Sequence, residues 1–385
     1  MKTMAIVICL VTLHVLLFAV SVTFAQTSDP QTGIIADIQP RKPGKLKVKQ
    51  KRGERIADAT IGMPIRRGYV LTLSEGARAT VVCDVDSRKY ELQTGPQPCP
   101  CVASRAIDEV SQLPRPRGDS SNRSFPIIVS PRATLLLNGR PRLRWLPPLR
   151  SSTDAPINAV DPTYRVAIYT TNMKLVWARS AVKGNTLIYP ATERELEPGN
   201  YLFVVATSLS SSEEEGGVGR GFAVLPKCPA DKVALTRCLR SVITADEQKI
   251  NSLHLRADST ELLIANLYIA HNIYAEATEK LLITLRSAKT PAVMRYLADT
   301  YGFVGLNREA EKLYLETLAL PQSATDIEAR ALTSEALAGT YERLGLSSNA
   351  RAQYDAAIEA YSELNDDLMV QALKSRRDKL MGKNE

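Results

Sequence analysis

The stretch Ala298-Asp299-Thr300-Tyr301-Gly302-Phe303-Val304-Gly305-Leu306-Asn307-Arg308-Glu309-Ala310-Glu311-Lys312-Leu313-Tyr314 decides how the last third of the chain folds. Ala298 and Tyr301 lie three residues apart, and Ala310 and Tyr314 four apart, so each pair shares one face of a helix. Gly305 between them supplies a residue that tolerates positive φ, as a tight turn between two helices requires. The same spacing recurs at Ala338, Tyr341, Ala350 and Tyr354 with Gly345 in the turn, and at Ala265, Tyr268, Ala277 and Leu281 with Asn272 there. A helix–turn–helix unit repeated three times predicts a stacked array, because no single unit can bury its apolar face alone. Small Ala positions let paired helices approach, and Tyr fills the gap between them. A charged amphipathic segment, Asn365 to Leu380, is expected to cap the end.

These three sets resemble the tetratricopeptide repeat, over about residues 258–364. The resemblance implies a binding groove lined by the first helix of each repeat. Carried over position by position, that groove would be lined by Leu262, Asn266 and Ile269, then by Arg295, Asp299 and Phe303, then by Glu335, Glu342 and Arg343. Family members that clamp a C-terminal carboxylate carry Lys where Leu262 stands, so the implied partner is a protein or peptide gripped in some other way. Asn266, Arg295, Asp299, Phe303, Glu335, Glu342 and Arg343 are the partner-binding candidates.

Upstream the texture changes to short alternating apolar and polar runs separated by Gly- and Pro-containing turns, the pattern of strands. Lys45–Lys49, Tyr69–Leu73, Ala77–Cys83 and Lys89–Leu92 predict a small β-domain over 44–101. Its Ile65-Arg66-Arg67-Gly68, Val70-Leu71-Thr72 and Ala77-Arg78-Ala79-Thr80-Val81-Val82 resemble the β-rich domain of iron-dicitrate-sensor (FecR-like) proteins. Seven further strands between Thr134 and Leu225 predict a β-sandwich over 125–227. There Leu143-Arg144-Trp145-Leu146-Pro147-Pro148 and Leu196-Glu197-Pro198-Gly199-Asn200-Tyr201 are similar to the core-Trp strand and a strand-entry turn of fibronectin type III domains. Trp145 and Trp177 are expected in the core, and the Tyr201 hydroxyl is expected to bond back to its corner. The 208–219 stretch reads as a long acidic loop, and 102–124 as a Pro/Ser-rich linker. That linker carries an Arg117-Gly118-Asp119 tripeptide, which chance in an Arg-rich linker explains, and an Asn122-Arg123-Ser124 glycosylation sequon, which matters only in a secreting eukaryote.

The first residues place the chain. Lys2, an apolar run from Ala5 to Val20 and the small-residue exit Thr23-Phe24-Ala25 have the layout of a secretory signal over 1–25, with cleavage after Ala25; an uncleaved anchor is the alternative. Residues 26–43 read as a polar tether. No other stretch approaches membrane-spanning length, so no span is expected in the mature chain, which is placed in the periplasm or outside the cell. In such a compartment cysteines pair. Cys228 and Cys238 are close in sequence and bracket the junction 228–257. Cys83 can reach Cys99 or Cys101, leaving one thiol over.

The formal net charge of +8 conceals two opposite halves: 32 Lys+Arg against 20 Asp+Glu over 26–240, and 16 against 21 over 241–385. Eight basic residues crowd between Arg41 and Arg55 with no aromatic among them to stack on a base, so an exported chain of this kind excludes nucleic acid as a partner. The bland reading is a charged strand at a solvated sheet edge; the functional one is a basic half that recognises an anionic envelope polymer, headgroup or signal ligand. No ligand-spaced His cluster, nucleophile elbow or phosphate loop occurs, and the Gly-rich run 216–221 lacks the Lys-Ser/Thr that would follow in a phosphate loop. No cofactor, metal or catalytic residue is expected. The architecture predicted is two small β-domains followed by an all-α repeat superhelix, and the function an exported scaffold. A sensor or envelope-binding module, and an uncharacterised hydrolase, are the alternatives.

Overall fold

The computed structural model describes residues 31–49, 56–66, 68–83, 88–101, 124–148, 162–215, 221–229 and 238–380. The signal, most of the linker with its Arg-Gly-Asp and sequon, the basic residues beyond Lys49, the 216–220 glycines and the extreme C-terminus lie outside them. Within them the chain is β-sheet first and helix last.

The first β-domain holds β1 (Gln31–Gln39), β2 (Leu46–Lys49), β3 (Ile56–Asp58), β4 (Pro64–Arg66), β5 (Val70–Leu73), β6 (Arg78–Cys83), β7 (Lys89–Glu91) and β8 (Gly95–Pro98). They form two four-stranded sheets, ordered β4-β1-β6-β7 and β3-β2-β5-β8. Ile35, Val48, Ile65, Leu71 and Val81 pack between them. Two expectations are corrected here. The stretch read as a tether carries β1, an interior strand paired on both sides with β4 and β6. The basic run does not mark a sheet edge either: β2 is interior, between β3 and β5, and Lys47 and Lys49 face solvent because alternate residues of a strand point to opposite faces.

The second β-domain holds β9 (Ile127–Ser130), β10 (Thr134–Leu136), β11 (Arg142–Leu146), β12 (Tyr164–Thr170), β13 (Leu175–Val182), β14 (Thr186–Ile188), β15 (Gly199–Ala206) and β16 (Gly221–Val224). A five-stranded sheet, β10-β16-β15-β12-β13, faces a three-stranded one, β14-β11-β9. Trp145 is fully buried and meets Tyr164 edge-on at 5.3 Å, and Trp177 packs on Tyr189 at 5.2 Å. The Tyr201 hydroxyl donates to the Glu197 carbonyl at 2.7 Å, closing the corner. Part of the expected acidic loop is ordered: a 3-10 turn spans Ser212–Glu215, and the buried Ser212 hydroxyl accepts from the Val205 amide at 3.0 Å.

The helices are α1 (Leu239–Asn251), α2 (Ala257–Ala270), α3 (Tyr274–Ser287), α4 (Pro291–Phe303), α5 (Asn307–Leu318), the short α6 (Pro321–Thr325), α7 (Ile327–Arg343), α8 (Ser347–Glu363) and α9 (Asp367–Lys379). The pairs α2/α3, α4/α5 and α7/α8 are the three repeated units. Ala265, Ala277, Ala298, Ala310, Ala338 and Ala350 are wholly buried, and Tyr314 and Tyr354 nearly so. Asn272, Gly305 and Gly345 have φ of 60°, 82° and 73°. Each turn closes the same way: the amides of Ile273, Leu306 and Leu346 donate to the carbonyls of Tyr268, Tyr301 and Tyr341, satisfying helix-end acceptors. α6 fills the longer interval before the third unit.

Two disulfides join Cys83 to Cys101 and Cys228 to Cys238, and Cys99 is free and half-buried. Both bonds fit an oxidising, extracellular or periplasmic setting. No helix of the described residues is long and apolar enough to cross a membrane.

Candidate functional site

The three units stack so that the starts of their first helices point to one side and the intervening turns to the other. Each side is taken by a β-domain. On the starting side, the Ser259 hydroxyl of α2 donates to the Ala36 carbonyl at 2.5 Å, and Thr290 at the head of α4 donates to the Ile61 carbonyl at 2.8 Å. Arg41 grips Asp258 with both terminal nitrogens, at 2.5 and 2.9 Å. Burial opposes ionisation of Asp258, yet the Arg41 hydrogen bonds hold its carboxyl down to about 2. On the third unit, Glu328 in the first turn of α7 receives Arg66 Nε at 2.6 Å and the Tyr69 hydroxyl on its other oxygen. Glu328 is only 2% exposed. Ile34, Ala36, Ile61 and Val82 of the first β-domain continue this contact into a single apolar core with Leu262, Ile264, Val293 and Leu297. Gly62 makes the approach possible: a Cβ there would lie 3.1 Å from Leu262 and 3.3 Å from Ala292.

On the turn side, the amide of Leu135 and the hydroxyl of Thr134 both reach the Asn272 carbonyl, at 3.0 and 3.2 Å. Arg132 donates to the Val304 carbonyl at 2.7 Å, and the Leu137 amide donates to Glu276 at 2.9 Å. Helix turns thus hand their exposed carbonyls to the sandwich, which meets the helix-end requirement for acceptors.

The residues named for the groove fall between these contacts, and most are already held by neighbouring side chains. Arg295 pairs with Asp299 at 2.7 Å, and the Tyr314 hydroxyl donates to the second Asp299 oxygen at 2.6 Å. Glu335 accepts from Tyr361 at 2.9 Å. Burial pushes the Glu335 carboxyl up, against the pull of that hydrogen bond. Glu342 accepts from Tyr354 and from Arg376 at 3.0 Å, so α9 closes over the third unit. Arg343 donates to Asn307 and Thr340, both at 2.8 Å. Phe303 stacks on Tyr274 with ring centres 5.4 Å apart, at the sandwich side. Leu262 is wholly buried, as a core residue. Asn266 and Ile269 are half-buried on the first unit. The first unit lacks the phenol–acid pair of the second, since Leu281 stands at the Tyr314 position and Asn266 at that of Asp299.

No family model and no curated protein matches the chain. Two crystal structures of MamA are similar over 39% of this chain, at 16% and 17% identity, covering 86% and 78% of those chains, with a TM-score of 0.24 each.

Sequence reading missed Arg41, Arg66, Tyr69, Asp258 and Glu328 as contact residues. Their partners lie 217 to 262 positions away, and no local pattern encodes such a pairing. Among the described residues no group of three or more His, Cys, Asp or Glu could hold a metal.

Proposed function

We propose that the chain is an exported scaffold of the bacterial cell envelope whose tetratricopeptide-type array holds a protein partner, and that it catalyses no reaction. The observation supporting this reading is that the array already binds polypeptide along the starts of its helices. Ser259 and Thr290 take backbone carbonyls, Asp258 and Glu328 take guanidinium groups, and Leu262, Ala292 and Val293 receive the bare backbone of Gly62. A surface that satisfies backbone and side chain together is the chemistry of peptide recognition. The two β-domains then act as fixed ends that hold the array at one curvature. Among the candidates, Asn266, with Ile269 beside it, offers the least internally paired part of the inner face, so the first unit is where the partner would enter.

A photo-crosslinking residue placed at Asn266 or Ile269 should join one partner in intact envelopes. The same residue at Lys183, an exposed site on the sandwich, should not. Identical crosslinked products from all three positions, or none from the first two, would sink the reading.

A further inference from the structure

A cleft of about 440 Å³ opens where the first β-domain meets the connection between α1 and α2. One wall is the β1/β6 sheet, with Asp37, Arg78 and Thr80; the other is the connection itself, with His254 and Arg256. The hydrogen-bonding capacity of the two walls is unequally spent. Asp37 receives Gln39 at 2.7 Å and Arg41 at 3.5 Å. Glu91 receives Thr80 at 3.0 Å and Lys89 at 2.7 Å. The acids of the cleft are therefore occupied. Of its basic side chains Lys89 is spent on Glu91, but among the described residues the side chains of Arg78 and His254 are exposed and make no hydrogen bond or ion pair. Arg256 comes only within 3.7 Å of Asp258, a carboxylate that Arg41 already holds with two nitrogens.

The unspent groups are thus donors and positive charge, converging from two separate parts of the chain. A guanidinium pair of this kind suits a carboxylate or phosphate oxygen. Only Leu92 and Leu255 are apolar among the lining residues, and none is aromatic, so the cleft suits neither a lipophilic ligand nor a stacked base. Its volume lies in the range of small-molecule sites, which begin at about 300 Å³, and leaves room beyond a bare anion for a body rich in hydroxyls. The geometry points to a binding site for an acidic saccharide, with Arg78 and Arg256 on its carboxylate and Gln39, Thr80 and His254 toward its hydroxyls. This site is distinct from the inner face of the array and does not depend on a protein partner there.

Galacturonate and oligogalacturonate, with galactose and its oligomers as uncharged controls, test this by titration calorimetry on the purified protein at low salt. The acidic probes should bind and the neutral ones should not. Arg78→Gln and Arg256→Gln should each weaken binding about tenfold, the usual worth of a charge-assisted hydrogen bond. Neither should move the thermal midpoint, since neither side chain holds the fold together. Binding of the oligomer alone assigns a polymer as the source, and equal binding of monomer and oligomer assigns a free sugar. No binding at low salt, neutral sugars binding as well as acidic ones, or unchanged affinity in both variants would overturn the assignment. A protein partner captured by the array in the crosslinking experiment would leave each of these results as it stands.

Discussion

Arg66→Met tests how the first β-domain is fastened to the third helical unit. Arg66 Nε lies 2.6 Å from Glu328, whose side chain is 2% exposed and whose second oxygen takes the Tyr69 hydroxyl. Removing the guanidinium takes a charged partner from a carboxylate in a dry site and leaves the neutral Tyr69 donor in place. Breaking one side of a buried pair costs about 3–5 kcal/mol, and the surviving Tyr69 bond puts this case near about 3 kcal/mol. Glu328→Gln keeps one acceptor oxygen for Arg66 and turns its amide NH2 to the Tyr69 hydroxyl, which can rotate to accept, and should cost about 2 kcal/mol. The double variant strands no lone charge and should cost about 3 kcal/mol in all, so the pair is coupled by about 2 kcal/mol. Amide exchange of the first turns of α7 is the assay, because that region is what the pair secures. Exchange there should speed about a hundredfold in Arg66→Met, while α2 and α3 keep their protection. Strictly additive single and double effects, or unchanged exchange in α7, would refute the argument.

Three further outcomes follow from the same structure. Burial pushes the Glu276 carboxyl up to about 7, with Glu279 adding and the Leu137 amide opposing. An acid raised in the folded state stabilises fully below its unfolded value and loses that contribution as pH climbs toward 7. Glu276→Gln should therefore gain about 2–3 kcal/mol over the parent at pH 8 and little at pH 4, read from denaturant midpoints; an equal effect at both pH values would contradict it. Gly62→Ala combines φ of +83° with a contact of 3.1 Å to Leu262, and should destabilise by about 1–3 kcal/mol while loosening the β1–α2 contact in amide exchange; unchanged stability would show that the approach tolerates a methyl. Replacing both cysteines of either disulfide by Ser removes a loop constraint worth about 3 kcal/mol, and should lower the midpoint accordingly, whereas Cys99→Ser should not.

The helical array was legible because its constraints are local. An Ala that must vanish between two helices, a Tyr that must fill the gap and a turn that must reach positive φ recur at fixed spacing, and Asn272, Gly305 and Gly345 have that conformation. Trp145 and Tyr201 were legible for the same reason. β1 was not. Its Ile35 and Ile38 face the core of the first β-domain, while Ile34 and Ala36 face the helices. A strand buried on both faces shows no alternation, and here the second face belongs to sequence more than two hundred residues away. β8 was hidden by its composition: Gly95-Pro96-Gln97-Pro98 reads as a turn, and prolines are admitted only because this strand lies at the edge of its sheet. The groove candidates lie on the first helices of the three units, but their pairing, as in Arg295–Asp299–Tyr314, depends on which second helix stands opposite.

The shared core changes what a binding event can do in this protein. Ile34, Ala36 and Ile61 are buried against α2 and α4, so the first β-domain cannot shift without exposing apolar surface of the array. The acidic-saccharide cleft has one wall on each of those bodies, with Arg78 on the sheet and Arg256 at the head of α2. A ligand held by both arginines binds only the docked arrangement, and so stabilises it by mass action. Linkage then runs in both directions. A partner that prised the array away from the β-domain would weaken the saccharide's hold by the same factor that the saccharide strengthens docking. A partner seated on Asn266 without disturbing that contact would leave the cleft's affinity unchanged. Saccharide affinity measured with and without the partner therefore reports which side of the array the partner uses, independently of any structure of the complex.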